Sequence, residues 1–306
     1  MAELRRALGE AGRRQGRLIA LVGEAGVGKS RLVGELVAET HSTTRLVLVG
    51  RCYESERILP FAPWLEILKV VRESADAAWR ADFPPAMRRE LARVLPEVGT
   101  TDRDVGPAPD HLMLFEAVSL LMEHVADRQP LVVILEDLHW ADEMSVRLLA
   151  FVCRRSWAWR ALVVATARAE DLADAPVVQR ILDEISPGPH VETVALQTLS
   201  REDTLDLVRA LARAGTDDAT VAGGGEEVWR ASAGNPLVVV EAMRAVSRGA
   251  LSAGLDRLSV PARVRDIICG QIDRLDDPRR GVLALASVIG SEFEFGLLHH
   301  ASGLDA

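Results

Sequence analysis

The segment at positions 23–30 reads GEAGVGKS and fits the pattern G-x-x-x-x-G-K-[ST] completely. An apolar run of strand type, RLIALV at 17–22, comes directly before it, and apolar residues recur at helical spacing over 30–40 directly after it. The glycines allow the backbone to curl so that successive N–H groups point at one anion, and the following helix adds the positive end of its dipole. The segment therefore predicts a strand–loop–helix unit that binds the phosphates of a nucleotide.

The lysine and the serine that close this loop have separate predicted roles. Lys29 is expected to reach the β- and γ-phosphates, and the Ser30 hydroxyl is placed to hold Mg²⁺. The match is specific, because Lys29 and Lys69 are the only lysines among 36 basic residues. The sequence thus predicts ATP or ADP with Mg²⁺ as ligands. The other residues expected to bind the nucleotide here are Gly23, Glu24, Ala25, Gly26, Val27, Gly28 and Arg31.

Short apolar runs alternate with helical patterns through the first two thirds of the chain. This alternation predicts an α/β domain with a mainly parallel sheet flanked by helices, and burial of both sheet faces explains why the runs are continuously apolar. Ligands of such a sheet lie at the carboxyl ends of its strands. The predicted strands are 17–22, 45–49, 131–135, 161–166 and 191–196, and the predicted helices are 30–40, 63–80, 111–127, 143–156 and 176–186.

Stretches rich in glycine or proline interrupt these patterns. The segment 81–110 is predicted to be an irregular surface excursion, and the GGG run at 223–225 is predicted to be a loop. Gly234 is a good C-cap for the helix before it, and Pro236 starts the next helix. After about residue 198 no further strand is predicted, so we expect the α/β domain to give way to a helical region there.

The run LVVILEDLHWAD at 131–142 is an apolar strand that ends in two acids. A carboxylate at a strand end can hold Mg²⁺ directly or through water, and a second one can polarise an attacking water. By position, Glu136 is the predicted magnesium acid and Asp137 the predicted water-activating acid. Because exposed acids often follow apolar strands without any function, this prediction depends on the phosphate-binding loop upstream. His139 and Trp140, which follow the acids, are predicted to serve packing, with contact between His139 and the nucleotide or a partner domain as the alternative.

Two further candidates for the site end the run ALVVATAR at 161–168. Arg168 is predicted to contact the γ-phosphate and report whether it is present, and Thr166 to position the lytic water. A surface salt bridge is the alternative interpretation of Arg168. In GNP at 234–236, Pro236 is predicted to pack on the adenine or ribose, with an ordinary junction between helices as the alternative.

Charge and cysteine content argue against several classes of protein. A net charge of −9 and a pI near 5.4 are not those of a protein-wide nucleic-acid-binding surface. The three cysteines are far apart and show no metal or disulfide spacing, which indicates reduced thiols and a cytoplasmic location. The longest apolar run, at 131–135, is far too short to span a bilayer, so no membrane association is predicted.

Together these segments resemble the ATPase module of the STAND class. The similar branch occurs in large LuxR-type (MalT-like) regulators and beside bacterial adenylate cyclase and kinase domains, and is also described as an Orc1-like AAA ATPase domain. The resemblance covers nearly the whole chain, and the motifs recur in the right order. It is carried by GEAGVGKSRL at 23–32, GRCYE at 50–54, PFAPW at 60–64, VILEDLHWAD at 133–142, VVATAR at 163–168, GNPLVVVEAM at 234–243 and the segment 258–293.

The resemblance implies a P-loop NTPase fold of AAA+/STAND type with three parts. These are an α/β ATPase domain at 1–198, a helical lid domain at 199–257 and the truncated start of a winged-helix domain at 258–306. It also implies an ATP/ADP-driven switch, in which ADP holds a closed state, ATP permits self-association and slow hydrolysis resets the protein. An effector domain is expected to be absent from this chain, and direct DNA binding by the chain is not expected.

Two other functions remain compatible with these residues. A DNA-associated AAA+ ATPase of the Orc1/Cdc6 kind shares the core but needs a competent DNA-binding winged helix. A non-catalytic scaffold binds nucleotide only for structural reasons. The scaffold stays open because the order Glu136–Asp137 is reversed from the Asp–Glu order that the family usually has. A metabolite kinase is disfavoured, since the GNP segment and the winged-helix start have no place in one.

Overall fold

The computed structural model describes residues 1–40, 43–75, 83–95, 110–212, 218–247, 265, 269, 272–273, 275–289 and 295–303. The chain divides into two compact units, Met1–Gln197 and Thr198–Ala306. Within the described ranges the strands all lie in the first unit, and they are β1 (Arg17–Gly23), β2 (Leu46–Arg51), β3 (Leu131–Glu136), β4 (Ala161–Arg168) and β5 (Val191–Ala195). The helices of the first unit are α1 (Ala2–Gly12), α2 (Lys29–Thr40), α3 (Ala62–Ser74), α4 (Pro85–Val94), α5 (His111–Arg128), α6 (Glu143–Arg155), α7 (Ala169–Leu172) and α8 (Pro176–Ile185).

A five-stranded parallel sheet in the order β2-β3-β4-β1-β5 forms the centre of the first unit. In its register Gly23 lies beside Arg168, and Arg51 lies beside Glu136. Because parallel strands end at the same edge of a sheet, the loops after β1, β3 and β4 all meet there. The sheet and its flanking helices confirm the predicted α/β fold.

Both faces of the sheet are covered. Val132 and Ile134 of β3 pack in one cluster with residues of α1 and α2, whereas Leu131, Val133 and Leu135 belong to a second cluster with residues of α3, α5 and α6. All five side chains are at most 1% exposed. Burial on two faces is the physical reason for the continuously apolar strands, since successive side chains of a strand point to opposite faces.

Helix α4, Pro85–Val94, shows that the prediction of an irregular excursion over 81–110 is wrong in part. Pro85 lies in the first turn, where its missing N–H costs no hydrogen bond. Leu91 is fully buried in the core on the α5 side of the sheet, so one apolar face stabilises this helix. The high proline and arginine content of the segment does not predict a helix. Residues 96–109 of the segment lie outside the described part of the chain.

The second unit contains the helices α9 (Arg201–Leu211), α10 (Asp218–Ser232), α11 (Pro236–Ser247), α12 (Asp277–Ile289) and α13 (Phe295–Ser302). The first three pack around Val208, Val228, Val239 and Met243. The GGG run at 223–225 lies inside α10, so its prediction as a loop is wrong. A Cβ on Gly225 would lie 2.6 Å from Leu205 Cδ2 of α9. Close helix–helix packing thus favours glycine here and outweighs its low helix propensity.

Two other features of the prediction concern the ends of the chain's elements. Gly234 follows α10 with a φ of +77°, and Pro236 is the first residue of α11. Residues 248–264, which include the predicted start of the third segment, lie outside the described ranges. None of the helices in the described part of the chain is long and apolar enough to cross a bilayer.

Candidate nucleotide-binding site

The GEAGVGKS loop connects the carboxyl end of β1 to the first turn of α2. A Cβ on Gly23 would lie 2.7 Å from the backbone oxygen of Leu196, just beyond β5, so only glycine fits there. Gly28 has a φ of +106°, a conformation that residues with a Cβ rarely adopt. The loop therefore needs glycine at its start, where Gly23 packs closely against Leu196, and near its end, where Gly28 has a positive φ. These two glycines allow the chain to turn from β1 into the first turn of α2.

Lys29 is the first residue of α2 and is 7% exposed. Its Nζ donates hydrogen bonds to the backbone oxygens of Gly23, at 2.6 Å, and Glu24, at 2.8 Å. Burial lowers the pKa of Lys29, an effect that the nearby Glu170 carboxylate opposes. The first turn of α2 carries no acidic side chain, which leaves the positive end of the helix dipole for an anion. A buried ammonium group beside such a helix end favours a polyanion as ligand.

The second acid after β3, Asp137, has left-handed backbone angles of φ 58° and ψ 48°. Its backbone N–H donates to Thr166 Oγ1 at 3.0 Å, and Thr166 itself is 1% exposed at the end of β4. Burial raises the pKa of Asp137 and Glu136 adds to the rise, while Arg168 and Lys29 oppose it. The Asp137 carboxylate therefore lies within electrostatic reach of the loop lysine and of the β4 arginine.

The first acid, Glu136, lies in a different environment. Its Oε2 accepts a hydrogen bond from Arg51 Nε at 2.8 Å, and the two residues are neighbours in the β2–β3 register. The Glu136 side chain is 15% exposed and that of Arg51 is 56% exposed, so the ion pair lies at the surface. Sequence analysis missed Arg51, because β2 was expected to end at residue 49 and its pairing with β3 cannot be seen in the sequence.

The predicted sensor, Arg168, is the last residue of β4 and the register neighbour of Gly23. Its charge lowers the pKa of both Lys29 and Asp137, so the three side chains lie within electrostatic reach of one another. Two residues later, Glu170 Oε1 accepts the backbone N–H of Ala25 at 2.9 Å. Sequence analysis missed Glu170 as well, since an acid after a strand gives no sign of which loop it contacts.

Not every predicted site residue belongs to this group. Arg31 lies on α2, where its largely exposed side chain pairs with Glu35 at 2.5 Å. Pro236 belongs to the second unit, so its predicted contact with the base stays a prediction. The P-loop residues, Asp137, Thr166 and Arg168 all lie at the carboxyl edge of the sheet in the first unit.

The donor set at this edge fits Mg²⁺ in the manner of a nucleotide site. Among the described residues, no group of three or more His, Cys, Asp or Glu side chains is arranged to hold a metal ion by itself. Mg²⁺ prefers one or two protein oxygens together with water and substrate phosphates. The Ser30 hydroxyl and the carboxylates of Glu136 and Asp137 are oxygen donors of this kind, so the chain's residues fit a metal that arrives with a nucleotide.

The fold and the site define a P-loop nucleotide-binding protein of the α/β class. A family model described as an AAA ATPase domain matches residues 1–165, which is more than half of the chain. The chain belongs to this family, as the resemblance implied, and membership carries nucleotide binding and usually the use of Mg²⁺ with it. A search of curated proteins finds no match to the chain.

Three solved structures are similar to the chain at low sequence identity, and the first of them, with a TM-score above 0.5, shows the same fold. A Walker-type ATPase of Pyrococcus abyssi matches with a TM-score of 0.53 and 14% identity, over 97% of this chain and 86% of that one. A STAND protein with a tetratricopeptide repeat sensor from Pyrococcus horikoshii matches with a TM-score of 0.41 and 13% identity, over 98% of this chain and 36% of that one. Cdc6p of Pyrobaculum aerophilum matches with a TM-score of 0.44 and 18% identity, over 82% and 61%.

Proposed function

We propose that this chain is an ATP- and ADP-binding molecular switch that hydrolyses ATP slowly. In this proposal it is the regulatory module of a bacterial signalling or transcription regulator in the cytoplasm. The observation that carries the proposal is the position of Lys29, Asp137 and Arg168 at the carboxyl edge of one sheet. Lys29 Nζ donates to the backbone oxygen of Gly23, which is the register neighbour of Arg168. The backbone N–H of Asp137 donates to Thr166, two residues before Arg168 on the same strand. Two cations and one acid at the sheet edge where helix α2 begins suit a triphosphate and its hydrolysis better than they suit a passive anion site.

Nucleotide binding in this proposal rests on the loop and its lysine. Lys29 exchanges its two backbone partners, the oxygens of Gly23 and Glu24, for oxygens of the β- and γ-phosphates. The exchange keeps the buried ammonium group hydrogen-bonded before and after binding, so it is never left without partners. The guanidinium of Arg168 contacts the γ-phosphate, which only ATP carries, and this contact distinguishes ATP from ADP. When bound, Mg²⁺ would neutralise part of the charge on the phosphates.

Hydrolysis in this proposal depends on Asp137. Its carboxylate accepts a proton from a water whose oxygen attacks the γ-phosphorus, while the bond from that phosphorus to the bridging oxygen of ADP breaks. A base with a raised pKa holds that proton better than an ordinary aspartate, which is the direction that burial gives Asp137. Thr166 holds the backbone of Asp137 through the 3.0 Å hydrogen bond and thereby sets the position of the carboxylate.

The ion pair between Arg51 and Glu136 supports slow turnover. Glu136 is the predicted magnesium acid, and it must give up or share the 2.8 Å contact with Arg51 before it serves a metal. The same ion pair favours a second candidate, a scaffold that binds nucleotide without hydrolysing it. The two candidates make the same prediction for binding and opposite predictions for phosphate release.

Self-association completes the proposal. We propose that 1–198 is the ATPase domain, 199–257 a lid, and 258–306 the start of a winged helix, with ATP rather than ADP favouring assembly. Phosphate release and light-scattering mass are measured with Mg-ATP, Mg-ADP and no nucleotide, for wild type and Asp137→Asn. A switch releases phosphate slowly and assembles only with ATP, and the variant assembles without releasing phosphate. Binding with no phosphate release by wild type supports the scaffold instead.

A further inference from the structure

A buried acid lies next to the arginine that ends β4. Asp171 in α7 is 5% exposed, and its Oδ2 is 3.6 Å from Arg168 Nη1. The Arg168 side chain is 30% exposed. The acid of this ion pair is therefore buried while the arginine is partly exposed, and the geometry of the pair is held from the acid side.

A histidine from the neighbouring strand end contacts both partners of this pair. His139 is 1% exposed, and its Nδ1 accepts the backbone N–H of Arg168 at 3.3 Å. A ring whose Nδ1 accepts carries its proton on Nε2, and Nε2 lies 3.2 Å from Asp171 Oδ2. His139 thus connects the backbone of Arg168 to the carboxylate that holds the guanidinium of the same residue.

An aromatic ring supports the guanidinium from another direction. The Arg168 Cζ lies 5.0 Å from the centre of the Trp140 ring, within the range of a cation–π contact. The Trp140 and His139 rings are themselves in contact, with centres 4.6 Å apart. An arginine side chain has many rotamers, and one held by an acid and a ring loses less freedom when it contacts a ligand.

We propose that Asp171 is a positioning residue which, with His139 and Trp140, holds the Arg168 guanidinium at the phosphate site and thereby sets how strongly the protein distinguishes ATP from ADP. Sequence analysis favoured packing for His139 and Trp140 and did not consider Asp171. The inference rests on the proposed function, because it assumes that Arg168 contacts the γ-phosphate. It adds to that function the residues that connect the segment after β3 to Arg168, the predicted sensor at the end of β4.

The test compares affinities for Mg-ADP and for the magnesium complex of a non-hydrolysable ATP analogue, both measured by calorimetry. The variants are Arg168→Ala, Asp171→Asn and the double variant, with Asp174→Asn as a control that makes the same change at an exposed position of the same segment. Melting temperatures check that each variant folds. Trp140→Leu is a second variant at a half-buried position, in case loss of the buried acid impairs folding.

Arg168→Ala is expected to raise the ratio of the dissociation constant of the ATP analogue to that of Mg-ADP by about tenfold or more, because one charge-assisted contact to the γ-phosphate is lost. Asp171→Asn is expected to raise the same ratio by about threefold or more. In the Arg168→Ala background it should change the ratio by less than about twofold, because a positioning residue acts through its partner. Trp140→Leu should follow Asp171→Asn, and Asp174→Asn should leave the ratio unchanged.

Other results overturn the inference. An unchanged ratio in Asp171→Asn, or an effect equally large with and without Arg168, means that Asp171 does not act through the arginine. If Arg168→Ala leaves the ratio unchanged while both nucleotides bind, the sensor role and this inference fail but nucleotide binding stands. If wild type binds neither nucleotide, the proposed function fails together with the inference.

Discussion

Replacing Thr166 by valine removes a hydroxyl while keeping the size of a side chain that is 1% exposed. That hydroxyl accepts the backbone N–H of Asp137, the residue with left-handed backbone angles after β3. Leaving this partly buried backbone donor without its acceptor costs about 1–3 kcal/mol. For a unit of this size, about 2–4 °C of melting temperature is lost per kcal/mol, so Thr166→Val is expected to lower the melting temperature by about 2–12 °C.

The same change is expected to slow hydrolysis. The left-handed backbone conformation of Asp137 costs on the order of 1 kcal/mol, and without the hydrogen bond to Thr166 it is no longer stabilised. The carboxylate then leaves its position beside the phosphates. A misplaced general base lowers kcat by on the order of 10²-fold. Melting by differential scanning calorimetry and phosphate release at saturating Mg-ATP measure the two effects.

Thr166→Ser is the matched control, because it keeps the hydroxyl and loses only a methyl group worth about 0.8 kcal/mol. It should release phosphate at nearly the wild-type rate. If the valine and serine variants melt alike and hydrolyse alike, the hydrogen bond to Asp137 has no role and the reasoning is refuted. If valine slows hydrolysis without lowering the melting temperature, the hydroxyl contacts the lytic water instead.

Three other variants test separate parts of the site. Burial raises the pKa of Asp137 in the folded protein, so its negative charge lowers the stability of the fold at pH 7. This loss of stability is recovered when the pH falls towards the unfolded-state pKa. Asp137→Asn should therefore raise the melting temperature at pH 7 while abolishing phosphate release. Arg51→Met should free Glu136 and lower the Mg²⁺ concentration that gives half-maximal activity by up to about fivefold, the value of an exposed ion pair. Gly23→Ala should remove nucleotide binding and lower the melting temperature, since its Cβ would lie 2.7 Å from Leu196 O; wild-type affinity in this variant would show that the loop start is not constrained.

The sheet and the phosphate loop could be predicted because their signals are local. A continuous apolar run such as LVVIL at 131–135 reports burial on both faces, and GEAGVGKS reports a backbone conformation that needs glycine at fixed positions. The helix Pro85–Val94 was missed because its stability comes from a buried face rather than from its composition. The GGG run at 223–225 was misjudged because close packing against α9 outweighed local propensity.

The positions of the candidate site residues at the sheet edge could be predicted, but the contacts between them could not. Strand ends identified Glu136, Asp137 and Arg168, since ligands lie at the carboxyl edge of such a sheet. The partners Arg51 and Asp171 depend on strand register and on the short helix α7 after β4, and neither can be predicted from a single sequence. Sequence therefore predicts which groups reach the edge, whereas structure is needed to show which of them are already paired.

Binding of Mg-ATP and Mg-ADP by calorimetry tests the central claim most directly. Lys29→Ala removes the buried lysine of the loop, and Lys69→Ala is a matched control because it removes the only other lysine, at an exposed position of α3. The account predicts micromolar binding by wild type and by Lys69→Ala, and a loss of binding in Lys29→Ala. Equal binding by all three proteins, or no binding by wild type, would contradict it.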